Sequence, residues 1–284
     1  MPELPEVQTT VSQLKKKALK RAFIDVWTDA PKLIKKPKSF DDFKKKIKGK
    51  KIKDIQRRGK NIIFKLSEGQ SLLVHQKLTG HLLYGRWKEG RWQSEEEKHI
   101  GEDKMNQYIH LVFFLDNNRE IALSDLRKFA KVELASDEEI KKELEDLGPD
   151  PLKISFQEFK DTVRKGKIKQ ALMNQKIISG VGNIYSDEAL FRAGIHPLRK
   201  VKDLKKKELK NLYQELKRIL NKALEVQGTS ISDYRTPEGK KGEFEKLLKV
   251  YRRKGKKCFN CGAKIERIKI GNRSAHFCPH CQKK

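Results

Sequence analysis

Met1-Pro2-Glu3-Leu4-Pro5-Glu6 opens the chain. If Met1 is removed, Pro2 presents a secondary amine at the chain terminus. An α-amino group titrates near pH 7.7–8.0, so a fraction of it is an uncharged nucleophile at neutral pH. Such an amine attacks an electrophilic carbon to form a Schiff base, and the adjacent Glu3 is placed to transfer protons. The other interpretation is a helix start, with Pro5 in the first turn and Glu3 and Glu6 complementing the helix dipole.

The pattern after this stretch predicts one helix followed by many short strands. Residues 5–20 carry apolar side chains at helical spacing and predict an amphipathic helix. Short apolar runs separated by turn residues then predict a β-sandwich or barrel. The polar stretch 88–104 predicts a long surface loop. The predicted strands cover residues 22–27, 51–57, 61–66, 71–76, 81–84, 108–115, 120–123 and 129–134.

The second half of the chain is helical in pattern. Residues 137–147 predict a helix, and Gly148-Pro149-Asp150-Pro151 predicts a domain boundary after it. A Gly-rich polar segment follows the last predicted helix. The further predicted helices cover residues 156–163, 169–176, 185–193 and 204–226.

The charge of the chain indicates a polyanionic partner. Its 284 residues include 66 Lys and Arg against 38 Asp and Glu, which gives a net charge of +28. Nucleic acid is the first expectation for such an excess, and a membrane surface is the alternative. No apolar run reaches the roughly 18 residues of a membrane span, and no hydrophobic signal core is present at the start. We expect a cytoplasmic protein without a membrane partner.

All four cysteines lie in one module near the end of the sequence, as two Cys-x-x-Cys pairs separated by sixteen residues. This spacing is typical of a zinc ribbon, and four thiolates without an open position indicate a structural ion. Two disulfides or unpaired buried thiols are the alternatives, and disulfides are disfavoured in the cytoplasm. The proposed zinc ligands are Cys258, Cys261, Cys278 and Cys281.

Three further stretches are candidates for phosphate or base contact. Gly180-Val181-Gly182-Asn183 lies between two predicted helices, where glycines admit a phosphate close to a helix N-terminus; an ordinary helix–turn–helix corner is the alternative. Gly59-Lys60 places an ammonium in a tight turn, unless Lys60 is simply solvated. Asp125-Leu126-Arg127-Lys128-Phe129 sets an aromatic ring beside two cations, as a wedge into a duplex requires; otherwise Phe129 is a core residue.

Residues 265–274 predict a β-hairpin between the cysteine pairs, with Arg273 near its tip. A basic hairpin on a rigid zinc module suits contact with phosphate or the minor groove. A solvated surface charge is the other interpretation of Arg273.

In this order, the motifs resemble the formamidopyrimidine-DNA glycosylase family over essentially the whole chain. The most specific parts are Met1 to Glu6, the turn at residues 180–185 and Cys278-Pro279-His280-Cys281-Gln282. The related endonuclease VIII branch shares the architecture but typically has Gly where Leu4 stands here.

The resemblance implies an α+β, multidomain fold with DNA in a cleft. The implied parts are a β-sandwich with a leading helix over residues 1–135, a helix and linker over 136–154, a helix–two-turn–helix domain over 155–227, a mobile lesion-covering loop over 228–243 and a zinc finger over 244–284. The implied protein is a monomer that acts on double-stranded DNA with a damaged base and carries one structural zinc. It would be cytoplasmic and associated with the nucleoid.

The resemblance also implies a bifunctional glycosylase and abasic-site lyase of base excision repair, acting on oxidised purines. Pro2 would attack C1′ of the flipped nucleotide, Glu3 would act as acid and base, and β- and δ-elimination would cut the strand. Lys60 and Arg273 match catalytic-site residues of the family, and Glu6 a supporting one. Matches to its DNA-binding residues are Leu78, Arg127 and Phe129, which fill the gap left by the flipped base, and Lys169, Asn183 and Arg273, which bind phosphate.

The sequence departs from the family pattern at three places. Leu78 stands where Met is usual, Ala130 where Gly follows the aromatic residue, and Gly271-Asn272 where many members have two glycines. None of these changes removes a catalytic group. The alternatives are an endonuclease VIII-like enzyme for oxidised pyrimidines, a non-catalytic damage-binding protein, or a zinc-ribbon protein of transcription or translation.

Overall fold

The computed structural model describes residues 1–88, 91–94, 102–231 and 233–284. The chain divides into two compact units. The first consists of Met1–Glu145 and Val226–Glu243, and the second of Asp146–Glu225 and Phe244–Lys284.

Among its described residues, the first unit contains three α-helices and two five-stranded sheets. The helices are α1 (Leu4–Ala18), α2 (Phe40–Ile47) and α3 (Asp137–Glu143). The strands are β1 (Phe23–Thr28), β2 (Ile34–Lys36), β3 (Ile52–Arg58), β4 (Asn61–Leu66), β5 (Gln70–His75), β6 (His81–Lys88), β7 (Arg91–Gln93), β8 (Ile109–Leu115), β9 (Glu120–Ser124) and β10 (Lys131–Ser136). One sheet has the order β1-β8-β9-β6-β7 and the other β2-β10-β5-β4-β3.

Both sheets contribute to one hydrophobic core, which makes this unit a β-sandwich. Phe113 of β8 and Phe64 of β4 are each about 1% exposed and belong to the same buried cluster. Helix α1 adds Val7, Val11 and Leu14 to that cluster, at the helical spacing that the sequence shows. The predicted α+β class and the leading helix are therefore confirmed.

The second unit is helical and ends in a β-hairpin. Its helices are α4 (Phe156–Thr162), α5 (Ile168–Met173), α6 (Asn183–Arg192) and α7 (Lys206–Glu225). The hairpin pairs β11 (Glu266–Ile270) with β12 (Arg273–Phe277), with Ile270 opposite Arg273. Arg273 thus lies at the tip of the hairpin, as predicted. No helix among the described residues is long and apolar enough to cross a bilayer.

The structure adds elements that the sequence pattern did not indicate. Helix α2 and strand β2 are present where no element was predicted. The prediction of a loop over residues 88–104 is wrong for Arg91–Gln93, which pair with β6; residues 89–90 and 95–101 lie outside the described part. The predicted strand at 129–134 begins only at Lys131, because the Phe129 and Ala130 N–H groups donate to the Asp125 carboxylate instead of a neighbouring strand.

Candidate active site

The start of α1 buries two carboxylates beside Pro2. Pro2 is buried, Glu3 is 3% exposed and Glu6 is 1% exposed. Glu3 and Glu6 form a capping box, in which the Glu3 N–H donates to Glu6 Oε2 at 2.7 Å. The helix-start interpretation of this stretch is therefore confirmed. A helix start does not exclude a catalytic role for this stretch, because it fixes Glu3 and Glu6 next to Pro2, the residue that would carry the amine.

Glu6 also fixes the segment Val226–Glu243 of the same unit. Its Oε1 accepts the Thr229 N–H at 2.8 Å, and its backbone carbonyl accepts the Tyr234 hydroxyl at 3.2 Å. Gly228 precedes this contact with φ of +85°, and a Cβ atom there would lie 2.7 Å from Glu6 Oε1. A side chain at position 228 would therefore push Glu6 away from its partners.

The environment of the chain terminus favours an uncharged amine. Burial lowers the pKa of the terminal amine, here that of Met1, below its usual value. The negative charges of Glu3, Glu6 and Asp233 raise this pKa, but their effect does not outweigh that of burial. The charge of Lys60 lowers it further, which places this ammonium within electrostatic reach of the terminus.

Lys60 is held by a tight hairpin between β3 and β4. Arg58 pairs with Asn61, so the connection is Gly59-Lys60, and Gly59 has a φ of +58°. Glycine suits this left-handed position, which a two-residue hairpin requires. Lys60 is 9% exposed, so the interpretation as a freely solvated lysine is wrong.

Asp125 organises the residues predicted to enter the duplex. Its carboxylate accepts the Phe129 N–H at 2.7 Å and the Arg127 N–H at 3.3 Å. The Thr79 hydroxyl, which follows Leu78 in the chain, donates to the same carboxylate. One buried acid therefore fixes both loops, although they lie on different strand connections.

The side chains on these loops are accessible. Phe129 is 51% exposed, and the Arg127 guanidinium lies 4.7 Å from the centre of its ring. The interpretation of Phe129 as a core residue is wrong. Leu78 is half-buried.

In the second unit, Lys169 and Arg273 line one cleft of about 230 Å³. Gln170, Met173 and Asn174 of the α5 region line it together with the hairpin tip at Gly271 and Asn272. Arg273 is exposed there, whereas Lys169 is 1% exposed. The cleft is small, and the exposed Arg273 guanidinium at its edge suits a phosphate group.

Lys169 has a structural partner as well. Its ammonium forms an ion pair with the fully buried Asp187 and donates to the Ser274 carbonyl at 3.0 Å. The other oxygen of Asp187 accepts the His276 N–H at 2.9 Å. Asp187 on α6 thereby connects α5 to β12, the strand that begins with Arg273.

The turn at residues 180–182 leads directly into α6, which begins at Asn183. The Gln175 side chain braces the turn, because its Oε1 accepts the Gly180 N–H and its Nε2 donates to the Val181 carbonyl, both at 2.8 Å. The first N–H groups of α6 follow, at the positive end of the helix dipole. Oδ1 of Asn183 is buried and has no hydrogen-bond partner among the described residues.

The four cysteines converge as a metal site requires. Their Sγ atoms all lie within 4.8 Å of one another, with Cys258 and Cys281 at 3.9 Å and Cys261 and Cys278 at 3.4 Å. Tetrahedral zinc with bonds of about 2.3 Å places its sulfurs about 3.8 Å apart, so this donor set fits the ion. The distances exceed the about 2.05 Å of a disulfide, so the disulfide interpretation is wrong.

The structure therefore distributes the proposed residues over both units, and it brings Lys169 and Arg273 together at one cleft. Pro2, Glu3, Glu6 and Lys60 belong to the first unit, and Lys169, Asn183 and Arg273 to the second. Sequence reasoning gave no role to Asp125, which holds the backbone at Arg127 and Phe129, or to Asp187, which holds Lys169 and β12. The Asp125-x-x-x-Phe129 spacing is a local signal for a carboxylate that caps the following N–H groups. No comparable local signal exists for Asp187.

Family models match three parts of the chain. The formamidopyrimidine-DNA glycosylase N-terminal domain matches residues 1–132, the formamidopyrimidine-DNA glycosylase H2TH domain residues 147–235, and the zinc finger found in FPG and IleRS residues 255–284. Formamidopyrimidine-DNA glycosylase of Pelotomaculum thermopropionicum is 37% identical over 100% of this chain and 99% of its own length. That of Desulfitobacterium hafniense is 38% identical over 99% of this chain and 100% of its own length.

Solved structures of similar proteins contain damaged DNA. Lactococcus lactis Fpg in complex with DNA containing an abasic site is 31% identical, with a TM-score of 0.86 and coverage of 99% of this chain and 100% of that one. MutM in complex with DNA containing carbocyclic 8-oxo-G is also 31% identical, with a TM-score of 0.86 and full coverage of both chains.

A β-sandwich, an H2TH domain and a four-cysteine finger in one chain define a class of DNA repair enzymes. The chain belongs to the formamidopyrimidine-DNA glycosylase family. Its cysteine module holds one structural zinc ion.

Proposed function

We propose that the chain excises oxidised purines from double-stranded DNA, with the amine of Pro2 as its nucleophile. As a member of its family, it is a DNA glycosylase of base excision repair that also acts as a lyase at abasic sites. The observation that supports the roles of individual residues is the buried group of Pro2, Glu3 and Glu6 at the start of α1. The lesion class is supported by the relatives whose structures contain Fapy-dG and 8-oxo-G DNA.

The reaction requires a free amine at Pro2. With Met1 attached, the Pro2 nitrogen is an amide without nucleophilic character, so the active form lacks Met1. The Pro2 amine attacks C1′ of the flipped nucleotide, and the bond to the base breaks as the base leaves with a proton. The C1′–O4′ bond of the sugar then opens, O4′ takes up a proton that Glu3 can supply, and a cationic iminium between Pro2 and C1′ remains. Loss of a proton from C2′ then allows β-elimination of the 3′ phosphate and δ-elimination of the 5′ phosphate.

Each neighbour of Pro2 has a distinct task in this scheme. Glu3 moves protons at the sugar, since it is adjacent to the nucleophile and almost fully buried. Glu6 holds the Glu3 N–H and the Thr229 N–H in place. Lys60 acts electrostatically, because a cation near the chain terminus favours the uncharged amine and attracts the phosphate beside the lesion.

The remaining residues hold the DNA. Leu78, Arg127 and Phe129 fill the space left by the flipped base, and the exposure of the Phe129 ring allows it to stack. Lys169, Asn183 and Arg273 bind phosphate, with Lys169 also fixing the hairpin through Asp187 and Ser274. Zinc holds the hairpin rigid and takes no part in the chemistry. We place the protein in the cytoplasm, on the nucleoid, as a monomer.

Borohydride trapping on duplex DNA with one 8-oxoguanine tests the proposal, because only a Schiff base becomes covalently fixed. Native protein should trap, and Pro2→Gly and Glu3→Gln should trap at least about tenfold less. Pro5→Ala is the matched control, since it also removes a proline from the helix start but leaves the amine intact. The mass of the trapped protein should show Met1 removed.

Three results would contradict parts of the proposal. Trapping with thymine glycol but not 8-oxoguanine would assign the protein to oxidised pyrimidines. DNA binding without trapping on any lesion or abasic site would make it a damage-binding protein. Retention of Met1 in the trapped complex would exclude Pro2 as the nucleophile.

A further inference from the structure

The turn before β8 is fixed to the segment Val226–Glu243, both parts of the first unit. Asp103 caps a 3₁₀ turn over Lys104–Gln107 by accepting the Met105 N–H at 3.0 Å. The same carboxylate binds Arg235 through two hydrogen bonds, Nε to Oδ2 at 2.7 Å and Nη2 to Oδ1 at 3.1 Å. The two hydrogen bonds make this pair bidentate. Because the Arg235 side chain is 5% exposed, the pair is also largely shielded from water.

Asn106 provides a second link between the turn and that segment. It is fully buried, and its Nδ2 donates to the Gly239 carbonyl at 3.1 Å. Its Oδ1 lies 3.2 Å from Nε2 of His81, the first residue of β6. Burial lowers the pKa of His81 to about 4, so at neutral pH this ring is uncharged and donates one N–H to Asn106.

The other side of the turn contacts β9, which ends at Ser124, just before the loop that carries Arg127 and Phe129. The Met105 carbonyl accepts the Ser124 hydroxyl at 2.5 Å, and the Tyr108 carbonyl accepts the Asp125 N–H at 2.8 Å. Asp125 is the acid that holds Phe129 and the loop carrying Leu78. A chain of direct contacts thus runs from the segment around Arg235 to the residues that enter the duplex.

We propose that Asp103 and Asn106 are positioning residues that hold the lesion-covering segment in register with the loops that fill the gap in the duplex. This inference rests on the proposed function, and on the implication of the family resemblance that residues 228–243 cover the extruded base. The physical reason is that Asp103 fixes the segment by a shielded bidentate pair, which defines orientation as well as distance. Arg235→Lys therefore fails to replace the native residue, because an ammonium cannot bridge both carboxylate oxygens.

The test compares two substrates for each variant. Excision of 8-oxoguanine requires a base held in its pocket, whereas cleavage of a preformed abasic site does not involve a base. Asp103→Asn and Arg235→Gln should each slow single-turnover excision of 8-oxoguanine about tenfold, while cleavage of the abasic site changes less than about twofold. The double variant should be no slower than the single ones, because both remove the same interaction.

Two controls separate positioning from general loss of structure. Glu68→Gln removes an exposed ion pair with Lys50 from the same unit and should leave both rates unchanged. The exchanged pair Asp103→Arg with Arg235→Asp should regain part of the excision rate. Equal loss on both substrates, or no loss on either, would overturn the inference. Failure of the native protein to cleave an abasic site would instead refute the proposed function.

Discussion

Replacing Asp187 by Asn tests whether one buried acid holds together Lys169 and β12, which carry two of the proposed phosphate-binding residues. Lys169 and Asp187 are 1% and 0% exposed, so removing the negative charge leaves an ammonium buried with the Ser274 carbonyl as a neutral partner. Removing one partner of a buried pair costs about 3–5 kcal/mol. The His276 N–H, which donates to Asp187 at 2.9 Å, also meets an amide in which one oxygen has become a donor. We therefore expect the free energy of unfolding to fall by about 4 kcal/mol.

The assay is urea unfolding of the zinc-loaded protein, combined with DNA binding as a function of salt. Asp146→Asn is the matched control, because Asp146 pairs with Lys176 at 2.6 Å in the same unit while both side chains are about 70% exposed. An exposed pair contributes about 0–1 kcal/mol. Equal losses in the two variants would refute the reasoning from burial. Lys169→Met together with Asp187→Asn should recover part of the stability, since no unpaired charge remains.

Three further predictions follow from the structure. Removing zinc with a chelator should disorder the hairpin and weaken DNA binding at least about tenfold, measured by fluorescence anisotropy; unchanged affinity would contradict a structural role for the ion. Gly228→Ala should slow excision and lower the free energy of unfolding, measured by urea titration, by about 1–2 kcal/mol, since the φ of +85° and the contact with Glu6 both disfavour a side chain; an unchanged free energy of unfolding would contradict this. Because the pKa of His81 falls from 6.5 to about 4 on folding, the unfolded chain binds more protons between these values, and stability falls as pH drops through this window. Native protein should lose about 2 kcal/mol more than His81→Gln between pH 7 and pH 5 in urea unfolding, and equal losses would contradict this.

Local patterns in the sequence were sufficient to predict most of the helices and strands. Helix α1 was predicted from its apolar spacing, and β4 was predicted with its observed bounds, because each pattern is contained within a few neighbouring residues. The zinc site was predicted for the same reason, since the spacing of the cysteines is itself the signal. Helix α2 escaped prediction because it is short and highly charged, with Phe43 and Ile47 as its buried residues.

The contacts that position the site depend on the fold and not on local sequence. Asp103 and Arg235 are 132 residues apart in the chain, and Asp187 and His276 are 89 apart. Neither pair shows a local pattern, because such contacts exist only after distant strands and helices have packed. The candidate nucleophile and the zinc ligands were therefore accessible to sequence reasoning, while the positioning contacts of Asp103 and Asp187 were not.

Three buried acids, Glu6, Asp125 and Asp187, explain how a chain of net charge +28 forms an ordered site. Its excess of cations attracts DNA, yet like charges repel one another and do not define a geometry. Glu6, Asp125 and Asp187 are each at most 1% exposed, and the carboxylate of each accepts hydrogen bonds from at least two groups of the segments around it. Because an acid with its donors in place is costly to disrupt in a buried setting, each holds its loop in one conformation. Cations at the surface thus provide attraction to the duplex, and buried acids determine where the contacting side chains lie.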